Sequence, residues 1–183
     1  MHAEGVDYSI RYKWDLGDWG GIEAALDGTY VMDASYLPSP GAPRVDCVGH
    51  YGKQCGLPST VSGSTGGPTP ENHFVQRTTW TYGDFDVSYL WRFIGGSTVD
   101  PTQAASTTGE SASIPDYNYI DLAASWQITD WAKLKFGVTN VFDEEAPFVE
   151  TETGSTPYNS GNTYPSTYDV LGRVFTVGIT TKF

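Results

Sequence analysis

Cys47 and Cys55 are the only cysteines in a chain of 183 residues, and they sit in a segment rich in Gly, Pro and Ser. Three chemistries are open to such a pair: cross-linking, metal binding and redox exchange. A structural metal wants four ligands, and only His50 lies between the two. A redox-active pair usually has two intervening residues, whereas here the whole run 48–54 intervenes. A lone close pair in an oxidising compartment most simply closes a small disulfide loop. The three histidines, His2, His50 and His73, are isolated from one another and no nucleophile motif surrounds a Ser, Thr or Cys. The sequence therefore predicts no catalytic residue, no metal site and no cofactor. Asp143, Glu144, Glu145, Glu150 and Glu152 crowd one stretch, which reads as a solvated loop or as a contact for a divalent or cationic ligand. Tyr36, Tyr51, Tyr158 and Tyr164 fall among turn-forming residues. Their rings could stack on a small-molecule ligand or simply fill turns.

The elements that must position these residues are strands. From Val6 to Leu16 the chain alternates without a break: Val6, Tyr8, Ile10, Tyr12, Trp14 and Leu16 on one side, Asp7, Ser9, Arg11, Lys13 and Asp15 on the other. Strict period two over such a length marks a strand with one apolar face. Gly17-Asp18 supplies a tight turn, and the next strand sets Ile22, Ala24, Leu26, Gly28, Tyr30 and Met32 against Glu23, Asp27, Thr29 and Asp33. A weaker alternation runs from Phe74 to Thr81. Phe85 to Phe93, Ile120 to Gln127 and Lys133 to Thr139 repeat the clear pattern. The last strand places Phe175, Val177, Ile179 and Phe183 on its apolar face. Seven strands result, all of them antiparallel neighbours.

Between them the connections run short, long, short, long, short, long. The long ones span 34–72, 95–113 and roughly 143–167, beyond what a packed core accommodates without a functional reason. Outer-membrane barrels have this asymmetry, with short periplasmic turns and long extracellular loops. The turns near 18, 83 and 130 then lie in the periplasm. Mean hydropathy is −0.33, and no stretch approaches the ~20 apolar residues of a membrane helix. Barrel strands need only ~9–11 alternating residues and leave no such trace. Aromatic residues make up 14% of the chain, with 12 Tyr and 6 Trp, which suits interfacial girdles. The net charge of −12 argues against nucleic acid as a partner. Met1-His2-Ala3-Glu4-Gly5 carries neither the basic start nor the apolar core of a signal peptide. A leader has been removed, or the chain is a piece of something longer.

Particular residues carry a family resemblance. Leu134-Lys135-Phe136-Gly137-Val138-Thr139-Asn140-Val141-Phe142-Asp143 resembles the penultimate strand of TonB-dependent outer-membrane receptors. Tyr168-Asp169 through Gly172-Arg173 into the terminal Phe is similar to their last strand. Tyr89-Leu90-Trp91-Arg92-Phe93-Ile94-Gly95-Gly96 is similar to an earlier strand, and the Cys47–Cys55 segment to an extracellular loop. The resemblance implies an all-β, up-and-down antiparallel transmembrane barrel segment in which residues 1–183 form the C-terminal part of a barrel of about 22 strands. The plug domain, the earlier strands and the box that contacts TonB have no counterpart in it.

The function so implied is active uptake of a siderophore, cobalamin or carbohydrate across the bacterial outer membrane, driven by the TonB complex through the plug. Other implied partners are outer-membrane lipid and lipopolysaccharide, and the barrel-assembly machinery reading Phe175, Val177, Ile179 and Phe183. Thr181 is more polar than the residue usual at that place. By strict parity Arg173 falls on the apolar face ~23 Å above Phe183, level with lipopolysaccharide phosphates unless a bulge at Gly172 turns it inward. Two other readings stand beside the importer: a small complete outer-membrane barrel serving as adhesin or structural protein, and a secreted β-sandwich binding module.

Overall fold

The computed structural model describes residues 2–52, 55, 66–101, 104, 112–149 and 163–182. Seven strands dominate. They are β1 (His2–Asp15), β2 (Gly21–Tyr36), β6 (Asn72–Tyr82), β7 (Phe85–Ile94), β10 (Tyr117–Thr129), β11 (Ala132–Thr139) and β12 (Val174–Thr181). Short strands β3 (Val45–Asp46), β4 (His50–Gly52), β5 (Gly66–Thr69), β8 (Ser97–Val99) and β9 (Ser113–Ile114) lie within the long connections. The seven pair antiparallel in the order β1-β2-β6-β7-β10-β11-β12, with β3 added to the end of β2. Each long strand neighbours the next in sequence, as an up-and-down sheet requires. The sheet does not close: β1 and β12 are its two edges.

Register sorts the side chains. Ile10 pairs with Leu26 and Tyr12 with Ala24. Leu26 in turn faces Gln76, Gln76 faces Trp91, and Trp91 faces Ile120. Across the later strands Trp126 pairs with Leu134, and Phe136 with Val177. Directly paired antiparallel residues point to the same side, so these residues form one continuous face. It stands bare: Val177 is 70% exposed, Ile179 64% and Ile10 61%. Gln76 and Thr78 are the polar members of this face, and the Gln76 amide nitrogen donates to Thr78 Oγ1 at 2.7 Å. That pair is why the alternation of β6 is weak in sequence.

The opposite face carries the charge. Ser9 donates to Asp27 at 2.7 Å, Thr29 to Asp7 at 2.7 Å, and Arg11 reaches Asp27 at 3.3 Å. Lys13 meets Glu23 at 3.0 Å. Further along the same face, Asp86 accepts from Thr81, Ser125 and Lys133 at 3.0, 2.8 and 3.1 Å.

The short turns gather aromatic residues. Gly17–Trp19 forms a single 3-10 turn. Gly20 follows with φ +80°, and a Cβ there would lie 2.0 Å from the Thr81 carbonyl oxygen. Only glycine fits that junction of β2 and β6. Trp80 Nε1 donates to the Trp19 carbonyl at 2.9 Å, and Phe85 stacks on Trp126 with centroids 5.4 Å apart.

Two expectations are refined. The register of β1 and β2 slips between Glu4 and Gly5, which pair with Asp33 and Val31. Met32 is therefore a bulge residue, and Asp33 leaves the charged row of Asp27 and Thr29. At the other edge, Gly172 adopts φ +65° and β12 begins only at Val174. Parity counted along the strand stops short of Arg173, whose backbone N–H donates to Asp143 at 2.7 Å.

Candidate functional site

The long connections meet above one end of the sheet and build the main buried core. Tyr51, Val99, Ile114, Tyr117, Tyr119, Val149, Tyr164 and Tyr168 pack together, with Ile94 and Ala146 against them. Tyr51, Tyr119 and Val149 have no exposed surface. A second sheet, β5-β4-β8-β9, underlies this cap. Within it β4 runs parallel to β8, with His50 opposite Thr98 and Tyr51 opposite Val99. Thr98 Oγ1 lies 3.0 Å from His50 Nδ1. The first and second long connections are thus joined backbone to backbone, and the third packs its tyrosines on both.

Beside β4 sits a smaller cluster of Val45, Cys47 and Cys55, with Tyr36 against it. Cys47 and Cys55 are disulfide-bonded, with Cα atoms 5.1 Å apart. The expected cross-link is present. It ties the strand-like start of the first connection to the chain just beyond β4.

Of the four tyrosines proposed to meet a ligand, Tyr51 and Tyr164 come together. Their rings are edge-on with centroids 6.1 Å apart, and both are buried. Burial pushes the Tyr51 phenol up to about 12 and raises Tyr164 further. Tyr36 is half-buried at the disulfide cluster, and Tyr158 lies outside the described residues, as does Phe183. Phe175, Val177 and Ile179 share the bare face of β12.

A polar hub links cap to wall. Arg92 on β7 grips Asp121 on β10 with two contacts of 3.2 Å and reaches Asp169 of the third connection at 2.8 Å. Its guanidinium lies 4.9 Å from the centroid of the Tyr119 ring, a cation–π distance. The Asp169 N–H donates to the Tyr119 hydroxyl at 3.2 Å. Asp121 also accepts the Asn140 N–H at 2.8 Å. Asn140 is buried at φ +52°, and its amide exchanges two hydrogen bonds of 2.9 Å with the Glu144 backbone. Asp143 is occupied by the Arg173 N–H. Among the described residues no cluster of three His, Cys, Asp or Glu is placed to hold a metal ion.

Sequence reasoning missed Tyr117, Tyr119 and Tyr168 as a core. One signal was present: Tyr117 and Tyr119 stand on the charged parity of β10, where large rings need a dry cover. Three segments that resemble the receptor family also converge here, since Arg92, Asn140, Asp143, Tyr168, Asp169 and Gly172 all belong to them.

No family model matches the chain, and no curated protein does. Solved structures do. A single-residue variant of the ferric enterobactin receptor PfeA from Pseudomonas aeruginosa, in complex with enterobactin, superposes with a TM-score of 0.61 at 14% identity over 99% of this chain. The siderophore receptor PirA from Acinetobacter baumannii gives 0.54 at 14% identity over 97%. What is shared is the fold. In both cases this chain spans only 22% of the length of the solved receptor.

Proposed function

We propose that this chain is the C-terminal portion of the barrel of a TonB-dependent outer-membrane receptor, which imports a small-molecule ligand rather than transforming it. The observation that carries this reading is the inverted dressing of the sheet. Its bare face holds Ile10, Tyr12, Tyr89, Leu122, Phe136, Val177 and Ile179, all 39% exposed or more, whereas its other face is lined with ion pairs. Water on the first face and a dry core on the second would be costly; lipid outside and a wet lumen inside suit both. A secreted sandwich would need the reverse. The open edges at β1 and β12 fit a segment whose neighbours are the remaining strands, since unpaired backbone is not solvated by lipid.

The ligand is a siderophore, cobalamin or carbohydrate. The solved receptors of this fold support the first, because their names are those of siderophore receptors. Tyr36, Tyr51, Tyr158 and Tyr164 are the contacts proposed for it, and two of these are buried in the conformation seen here. Phe175, Val177, Ile179 and Phe183 are proposed as the strand read by the barrel-assembly machinery, and lipopolysaccharide as the neighbour of the upper rim. The experiment is uptake of ferric enterobactin, cobalamin and maltohexaose by cells producing the complete protein, with and without a functional TonB complex. TonB-dependent uptake of one of them is expected. Outer-membrane protein that takes up none, or takes it up equally without TonB, contradicts the reading.

A further inference from the structure

The three short turns repeat one dipeptide. Asp18-Trp19 lies between β1 and β2, Asp84-Phe85 leads from β6 into β7, and Asp130-Trp131 lies between β10 and β11. All three stand at the same end of the sheet, because each long strand runs antiparallel to the next. An aspartate at a turn ordinarily accepts a hydrogen bond from the backbone two residues on. Asp15 does so, from the Gly17 N–H at 2.9 Å. Asp18, Asp84 and Asp130 do not. Among the described residues their carboxylates have neither a hydrogen bond nor an ion pair, and all three residues are exposed. On the charged face, by contrast, Glu23, Asp27, Asp86 and Asp121 are each paired with a cation. Folding of the turns leaves three carboxylates unused.

The ring beside each carboxylate is bare as well. Trp19 is 71% exposed and Trp131 57%, and Phe85 is also exposed. Trp14, Trp80 and Tyr82 continue the belt on the apolar face, Trp80 and Tyr82 stacked with centroids 5.7 Å apart. Rings in such a belt sit at the headgroup level of a bilayer. The charge at that level is nearly of one sign. Lys13 and Lys133 are committed to Glu23 and Asp86, and Lys182 follows β12 only at the far edge of the sheet. A headgroup of net negative charge is repelled by the three free carboxylates. One that carries an ammonium is attracted twice, as a charge-assisted donor to the carboxylate and as a cation over the neighbouring ring.

We propose that this end of the wall binds amine-bearing phospholipid, taking one phosphatidylethanolamine headgroup at each Asp–aromatic pair. The ammonium sits between carboxylate and ring, and the acyl chains run up the apolar face. The inference rests on the outer-membrane reading and names the lipid which that reading leaves open.

The test is fluorescence quenching of the complete protein in mixed bilayers of phosphatidylethanolamine and phosphatidylglycerol, with bromines on the acyl chains of one lipid or the other. The difference between native protein and a Trp19→Phe/Trp131→Phe variant isolates the emission of the two turn tryptophans. Bromines on phosphatidylethanolamine should quench that share more strongly, giving an association constant on the order of 3-fold above that of phosphatidylglycerol. Combining Asp18→Asn, Asp84→Asn and Asp130→Asn should bring the two lipids to parity while quenching itself persists. Equal quenching by both lipids in the native protein would overturn the proposal and leave the outer-membrane reading standing. A preference that survives the combined variant would show that the carboxylates do not set it, and would overturn the proposal too. Quenching by neither lipid would place the turn rings away from the bilayer and overturn it again. If the emission of the whole protein also went unquenched, the outer-membrane reading would fall with it.

Discussion

Wall and cap use the same side chains in opposite ways. In the wall, Val, Ile, Phe and Trp stand on one bare face, and Arg11 with Asp27, Lys13 with Glu23, Arg92 with Asp121 and Lys133 with Asp86 pair on the other. In the cap, Val99, Ile114, Val149 and the tyrosines turn inward and exclude water, while Glu144 and Glu145 are exposed. The difference teaches what each part is solvated by. Order in the wall comes from the antiparallel ladder and from ion pairs on its charged face, so its apolar face is free to stand bare. Order in the cap comes from burying apolar surface against water, which a short two- or three-stranded element cannot do without partners from other loops.

The sharpest way to break this comparison is to charge each face of β12. Val177→Arg in the complete protein should cost ~2–4 kcal/mol and reduce folded protein in the outer membrane, while Thr176→Arg should be tolerated. Quantitative immunoblotting of outer-membrane fractions and urea titration of folded protein check both. Equal tolerance would mean that the faces are reversed. Next in size is the cap's cross-link. Replacing Cys47 and Cys55 by Ser should destabilise the cap by ~2–3 kcal/mol on the loop-entropy model. Limited proteolysis should then cut near β4 and leave the wall strands intact.

The seven wall strands were legible because a sheet with one apolar and one charged face imposes strict period two. From Val6 to Trp14 every residue obeys it. Phe74 to Thr81 did not, since Gln76 and Thr78 occupy the outer face, and the bulge at Met32 was invisible because apolar Met fits either parity. The cap was legible only in part. Cys47 and Cys55 announced their bond by being alone together. Strands of two to four residues such as β4 and β8 have no period to detect, and their pairing joins segments nearly fifty positions apart. The tyrosines singled out as ligand contacts were chosen for their setting among turn residues, and sequence does not show that two of them would find each other.

Smaller perturbations sharpen the contrast within each region. Asp86→Ala should remove the acceptor shared by Thr81, Ser125 and Lys133 and lower wall stability by about 1–2 kcal/mol, the half-exposed site softening the loss. Urea midpoints of the folded barrel measure it. In the cap the sign should invert. Tyr164→Phe deletes a hydroxyl that has no partner among the described residues, so protection of β4 and β8 in hydrogen exchange should hold or rise, by up to about 1 kcal/mol. A fall would mean that the hydroxyl has a partner the packing does not reveal.

The central claim is that the bare face of the sheet meets lipid and the charged face meets water. Nitroxide spin labels placed singly at Ile10, Val177 and Ile179, and at Arg11, Thr176 and Thr180, in the complete protein reconstituted in bilayers test it directly. Collisions with molecular oxygen report hydrocarbon, and collisions with a polar nickel chelate report water. The account predicts high oxygen and low nickel accessibility at the first three positions and the opposite at the second three. Nickel accessibility that is high at Val177 and Ile179 would place that face in water and contradict the account.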